Sequence, residues 1–288
     1  MKFLNYVGYF AQLRACLGFG ASCVFTLAHL WNKIRPPSGG RLARVPVGPY
    51  VFYFPSLEHL EGQITEIFFK ETYYIPPTQK PIRVIDCGAN IGVSLLYIKI
   101  RAPRAQVTCF EPNPSARAVL EKNIKANGWE KDVRVFPCAL GKKKGAVDFF
   151  VDDQEATSSG GSFGRHQKNK DRGLDSYTVN VDTLSHYIDA PVDLLKIDIE
   201  GAEFDVLEEL VATDMLRSVA ELQLEYHYIP GFSTRSLFHL LALLEANGFR
   251  TFVESNTLPH SIIGRDSWHT YMVFAWRLSK LGKEIAEE

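Results

Sequence analysis

Three stretches of the sequence set charged and small residues at spacings that allow chemistry. The first is Asp86-Cys87-Gly88-Ala89-Asn90-Ile91-Gly92, between an apolar β-branched run and a helical one. Gly88 lets the backbone approach a ligand with no Cβ in the way. Gly92 allows the following helix to pack tightly on the strand. The spacing is G-x-N-x-G, not the G-x-G-x-x-G that offers bare N–H groups to a pyrophosphate. Asp86 and the Asn90 amide suit a ligand with hydroxyls, an ammonium and a carboxylate. Glu111 ends the next apolar run, 23 residues after Gly88, where an acid accepts both hydrogen bonds of a ribose diol. The plain readings of these residues are a connecting turn and a helix-capping acid before Pro112.

The second stretch is Lys196-Ile197-Asp198-Ile199-Glu200-Gly201-Ala202-Glu203. Strand alternation puts Lys196, Asp198 and Glu200 on one side. Three charges on a central strand are costly to bury without partners. Lys196 can pair with an acid, fix its orientation and lower its pKa. Asp198 and Glu200 are the candidates for the reaction centre, either as base, and a structural salt-bridge network is the alternative. Glu203 reads as an acid favoured at a helix N-terminus. The third stretch, Glu225-Tyr226-His227, puts Glu225 and His227 on one strand face, and His227 has the natural pKa of a base near neutral pH. Glu221 and Gln223 carry that polar face inward, which makes sense only if the face is partly open.

These stretches sit at the ends of strands. Apolar runs at 83–85, 106–110, 133–140, 192–199 and 219–227 alternate with helical patterns at 93–101, 115–126, 203–210 and 236–246. Extra strands are expected at 146–151 and 177–181. Strands separated by helices imply a parallel sheet with helices on both faces. Strands at 249–254 and 270–276 have no helix between them, so one runs antiparallel. The expected fold is doubly wound α/β: a mostly parallel, seven-stranded, Rossmann-like sheet with a C-terminal antiparallel hairpin. Ligands bind such sheets beyond the strands' carboxyl ends, where strand order reverses. Upstream, a hairpin at 45–54 and a helix at 57–74 follow the break Pro36-Pro37-Ser38-Gly39-Gly40. Residues 1–80 are thus read as an N-terminal helical region and cap, and 81–288 as the catalytic domain. The polar stretch Asp152 to Ser176 is too long for an ordinary connection. It is read as a substrate lid or disorder, with Ser158-Ser159-Gly160-Gly161 approaching the acceptor.

A net charge of -1 argues against a nucleic-acid partner. Five cysteines include no CxxC pair and no zinc spacing, and thiols inside strands point to a reducing, cytoplasmic compartment. Cys16 to Trp31 is apolar over sixteen residues, short of the roughly 20 that span a bilayer. A helix packed on the domain or contacting a membrane surface through residues 6–31, a membrane anchor and a cleaved signal all remain open.

The motifs DCGANIG, FEPNP, VDTL and KIDIEGAE, in this order, resemble the FkbM-type methyltransferase family over Val84 to Leu210, and more weakly to Trp276. The resemblance implies a class I methyltransferase fold, S-adenosylmethionine as cofactor and a hydroxyl of a small molecule or sugar as acceptor. It implies that Asp86, Gly88 and Asn90 line the methionine end, Glu111 holds the ribose and Cys138-Ala139-Leu140, with Ala139 central, flank the adenine. An NAD-dependent oxidoreductase is disfavoured by the glycine spacing and the antiparallel pair. A non-catalytic binding protein is disfavoured by Asp198 and Glu200. Metal assistance through carboxylates is conceivable, but nothing in the spacing requires it.

Overall fold

A computed structural model of the chain describes residues 42–151, 175–228, 235–255 and 269–278. The apolar segment at residues 6–31, and the expected lid with Ser158 to Gly161, lie outside them. Among the described residues no helix is long and apolar enough to cross a membrane.

The described residues begin with a hairpin of β1 (Ala43–Val47) and β2 (Tyr50–Phe54). Helix α1 (Leu57–Ile64) continues as a π-helical turn over Thr65–Phe69. The expected helix to residue 74 therefore stops early. Glu71 takes a left-handed φ of 49°, and the Thr72 hydroxyl donates to the Glu66 carbonyl at 2.7 Å. Tyr73 and Tyr74 leave the helix and are free to point elsewhere.

The α/β body follows as β3 (Arg83–Cys87), α2 (Val93–Arg101), β4 (Gln106–Phe110), α3 (Pro114–Ala126) and β5 (Val133–Phe136). Next come β6 (Ala139–Leu140), β7 (Gly145–Val151), β8 (Asp175–Asp182), β9 (Val192–Ile197) and α4 (Glu203–Ala212). The described body ends with β10 (Val219–Tyr228), α5 (Leu237–Ala246), β11 (Arg250–Ser255) and β12 (His269–Trp276). The main sheet has seven strands in the order β11-β12-β10-β9-β3-β4-β5. Strand β12 runs antiparallel to both β10 and β11, and the β10-β9-β3-β4-β5 pairings are parallel. This is the seven-stranded sheet with one antiparallel member that the element order requires.

Two expected strands are shorter than their apolar runs. The run from Val133 to Leu140 breaks at Pro137, which has no N–H for the ladder. Beyond it, β6 leaves the main sheet to pair with β8 in a three-stranded sheet, β6-β8-β7. Strand β9 stops at Ile197 because Glu200 (φ 58°) and Gly201 (φ 115°) turn the chain. Asp198 and Glu200 therefore sit in the turn after the strand, not in its ladder.

Alternation on β3 and β9 separates two apolar layers. Val84 and Leu194 pack with α2, α3 and the N-terminal hairpin and helix. Ile85, Cys87, Leu195 and Ile197 pack with α4 and α5. The hairpin is held to α3 by two asparagines that act as a strand partner. Asn123 bonds the N–H and C=O of Tyr53 at 2.7 and 3.0 Å, and Asn127 bonds those of Val51, both at 2.8 Å. At about 1 kcal/mol each, these bonds fix where α1 and Tyr73 lie over the sheet.

Candidate active site

A cleft opens beyond the carboxyl ends of β3, β4, β9 and β10, at the point where strand order reverses. Its floor is the β3–α2 turn. Gly88 (φ 86°) lies against the neighbouring strand, and a Cβ built on it would stand 1.8 Å from the Asp198 carbonyl oxygen. The requirement for glycine comes from that carbonyl and not from a ligand. A Cβ on Gly92 would stand 2.7 Å from Leu120 on α3, so this glycine admits a helix side chain rather than the strand.

Asp86 is fully buried and lies beneath the cleft instead of lining it. Its carboxylate accepts from the Ser94 hydroxyl at 2.6 Å and sits 3.0 Å from Lys196 Nζ. Lys196 also donates to the Gly88 carbonyl at 3.1 Å and lies 3.7 Å from Asp198. Burial alone would push its pKa down, but the Asp86 and Asp198 carboxylates outweigh that and hold it above its ordinary value. A paired, hydrogen-bonded ammonium explains why charge is tolerated in the middle of the sheet.

Glu111 lines one wall of the cleft. One carboxylate oxygen accepts from the Asn90 N–H at 2.7 Å and the other from the Asn113 N–H at 2.8 Å. Asn90 reaches this bond through a left-handed φ of 49°. Burial pushes the Glu111 pKa up to about 7, against the pull of those two N–H groups. Each oxygen keeps a further lone pair, so the aimed carboxylate can still accept from two hydroxyls. Beside it, Cys138, Ala139 and Leu140 form a smooth apolar wall, with Phe110 and Tyr187 packed edge to face at 4.8 Å.

The opposite rim is acidic. Asp198, Glu200, Glu225, Glu66 and His227 all line the cleft. The Tyr73 hydroxyl lies 3.0 Å from an Asp198 carboxylate oxygen and 3.2 Å from one of Glu225, so it can donate to either acid at a time. His227 Nε2 lies 3.6 Å from Glu200 and 3.8 Å from Glu225. Its Nδ1 lies 2.9 Å from Glu203. One ligand atom from each of Asp198, Glu200 and His227 falls within 4.8 Å of the others, a grouping that attracts positive charge. Burial pushes Glu200 up to about 8, opposed by His227 and reinforced by Asp198. Burial, then Asp198, pushes Glu225 up to about 8. For His227, burial lowers the pKa, but Glu203, Glu200 and Asp198 outweigh it and leave it well above 6.5.

Of the residues singled out from sequence, Gly88, Asn90, Glu111, Ala139, Asp198, Glu200 and His227 meet in this cleft, and Asp86 supports it from below. Glu203 is more than a helix-terminal acid. It is fully buried and bonds His227. Sequence reasoning missed Gln63, Glu66, Ile67 and Tyr73, which reach the cleft from the N-terminal cap. The unexplained inward Gln223 donates to the Tyr74 carbonyl at 2.7 Å, and Glu221 is exposed.

A profile of the methyltransferase FkbM domain matches residues 86–251. The antimetabolite synthetase AmbE of Pseudomonas aeruginosa is 25% identical over 94% of this chain and 14% of its own length. Methyltransferase 1 of Beauveria bassiana is 28% identical over 50% of this chain and 65% of its own. The 31-O-demethyl-FK506 methyltransferase FkbM of Streptomyces tacrolimicus is 28% identical over 79% of this chain and 92% of its own. The chain thus spans less than two thirds of the first two relatives.

Proposed function

Since this chain belongs to the FkbM methyltransferase family, we propose that it transfers a methyl group from S-adenosylmethionine to a hydroxyl of a small molecule or glycan. The carrying observation is one cleft with a diol acceptor, Glu111, on one wall and an acidic rim with a histidine opposite it. That donor set fits a ligand with a ribose at one end and positive charge at the other. The Streptomyces relative, whose name places its methyl on oxygen, supports a hydroxyl acceptor.

When bound, S-adenosylmethionine supplies a methyl group on a sulfonium, open to in-line displacement. The chain's own residues do the rest. Gly88 and Asn90 hold the methionine end, with Asp86 and Lys196 fixing the turn. Glu111 accepts the ribose hydroxyls and Ala139 flanks the adenine. Asp198, Glu200 and Glu225 offset the positive charge. Tyr73 holds the Asp198 carboxylate, which leaves Glu200 and, where its ring is neutral, His227 to take the acceptor's proton. Aligning the acceptor oxygen contributes by itself.

The cap, residues 1–80, supplies Glu66 and Tyr73 to a catalytic domain of residues 81–288. Residues 6–31 are assigned contact with a membrane surface in a cytoplasmic enzyme, on their apolar composition and the buried thiols of Cys87, Cys109 and Cys138. Isothermal titration with S-adenosylhomocysteine and with NAD tests the cofactor. Binding of the first alone is expected, and binding of NAD alone overturns the reading. Mass spectrometry of glycans and lipids from cells lacking the gene identifies the acceptor by a lost methyl group.

A further inference from the structure

Glu203 stands outside the cleft, yet it is tied to it more firmly than the opening of a helix requires. It is fully buried. One of its oxygens accepts the Gly201 N–H at 2.8 Å and the Ile199 N–H at 3.3 Å, and the same oxygen is 2.9 Å from His227 Nδ1. A single atom therefore ties the turn that carries Glu200 to the ring that Glu200 faces. A helix N-terminal role would account for the favourable charge. It does not account for complete burial or for the contact across to β10. A buried carboxylate carries a desolvation penalty, which an exposed acid at the same helix start would avoid.

The protonation of the ring follows from the chemistry of the pair. The Glu203 oxygen facing Nδ1 already accepts from the Gly201 and Ile199 N–H groups, so it acts as an acceptor here too and Nδ1 carries the hydrogen. In the neutral ring the lone pair then lies on Nε2, which faces Glu200 at 3.6 Å. We propose that Glu203 is the positioning residue of this site, holding Nδ1 of His227 so that Nε2 is presented to Glu200 and the acceptor. The inference rests on the proton-accepting role given to His227 above. Among the described residues, the charged and titratable groups around the ring include Glu203 on α4, Asp198 and Glu200 in the turn after β9, Glu225 on β10 and Glu66 in the π-helical turn. Of these, Glu203 is the one with a hydrogen bond to Nδ1.

The test uses the full chain, with nitrogen NMR of the His227 ring assigned against His227→Asn, together with kcat and acceptor KM. At a pH above the raised pKa of His227, where the ring is neutral, Glu203→Ala removes the acceptor at Nδ1 and should move the ring from the Nδ1–H form toward a mixture of tautomers. It should lower kcat about 10–100-fold, the scale known for losing the outer hydrogen-bond partner of a metal-bound histidine, while S-adenosylhomocysteine affinity and KM hold. Should Glu203→Ala not fold, Glu203→Asp carries the same test, because the shorter acid withdraws its oxygen from Nδ1. An unchanged tautomer in a folded variant overturns the inference. A shifted tautomer with an unaffected kcat in His227→Asn supports the positioning role and overturns the base assignment instead, so the two failures are distinguishable.

Discussion

The backbone carbonyl of Asp198 fills the space beside Gly88, 1.8 Å from where a Cβ would sit. The Asp198 N–H donates to the Cys87 carbonyl at 3.0 Å, so the two chain segments are pinned edge to edge where β3 and β9 end. The glycine thus serves the joint between the strands that hold the cofactor turn and the acidic rim. Neither segment can retreat without breaking that bond.

Gly88→Ala should accordingly act on folding before it acts on binding. Added to a positive φ that disfavours any side chain, the clash should destabilise by at least about 3 kcal/mol. Thermal unfolding without ligand measures this. A Gly88→Ala variant that melts like the parent but no longer binds S-adenosylhomocysteine would place the collision on the ligand instead.

Glu111→Gln should weaken S-adenosylhomocysteine binding by about 1.5–3 kcal/mol. The amide keeps one acceptor for Asn90 or Asn113 but turns N–H groups toward the other amide and the diol. Glu111→Ala frees both backbone N–H groups, so part of its effect will be on the turn itself. Titration calorimetry on the glutamine variant gives the cleaner number, and unchanged affinity removes Glu111 from the site.

The succession of strands and helices and the floor of the cleft were legible because they depend on local signals. Continuous apolar runs between helical patterns set the sheet, and Gly88, Asn90 and Glu111 stand at strand ends whose position the runs fix. Tyr73 was not legible. It meets Asp198 across 125 residues and Glu225 across 152, and only the asparagine clamp of α3 on β2 and the early end of α1 aim it there. Glu203 was read as a helix-terminal acid because its spacing says that much and no more. Its bond to His227 depends on the turn at Glu200 and Gly201, where β9 stops short of its apolar run.

Tyr73→Phe removes the hydroxyl between Asp198 and Glu225 and leaves two carboxylates facing each other. We expect kcat to fall while S-adenosylhomocysteine binding changes by less than about 1 kcal/mol, since the hydroxyl touches the rim and not the Glu111 wall. Steady-state kinetics with calorimetry on the same preparation separates the two effects. A loss confined to cofactor binding would take Tyr73 out of the rim.

The rim also predicts a pH dependence with a definite sign. Glu200 and Glu225 rise from an ordinary 4.5 to about 8 in the folded protein, so between those values the folded state binds more protons than the unfolded one. Stability should then fall as pH rises through that window, with the loss complete above about 8. His227, raised above 6.5, contributes stability that is full below 6.5 and is lost through its own folded pKa, in the same direction. A positive charge placed in the rim opposes this, because it favours the ionised acids. S-adenosylmethionine carries that charge at sulfur and S-adenosylhomocysteine does not, so the ratio of their affinities should grow in favour of the first between about pH 6 and 8, by up to tenfold per pH unit for each proton released. Glu200→Gln and Glu225→Gln should each flatten the rise and raise stability at the alkaline end. Paired titrations across that range decide it: a ratio that stays flat in the parent protein would mean that the acids do not face the sulfonium, and that their clustering serves the acceptor alone.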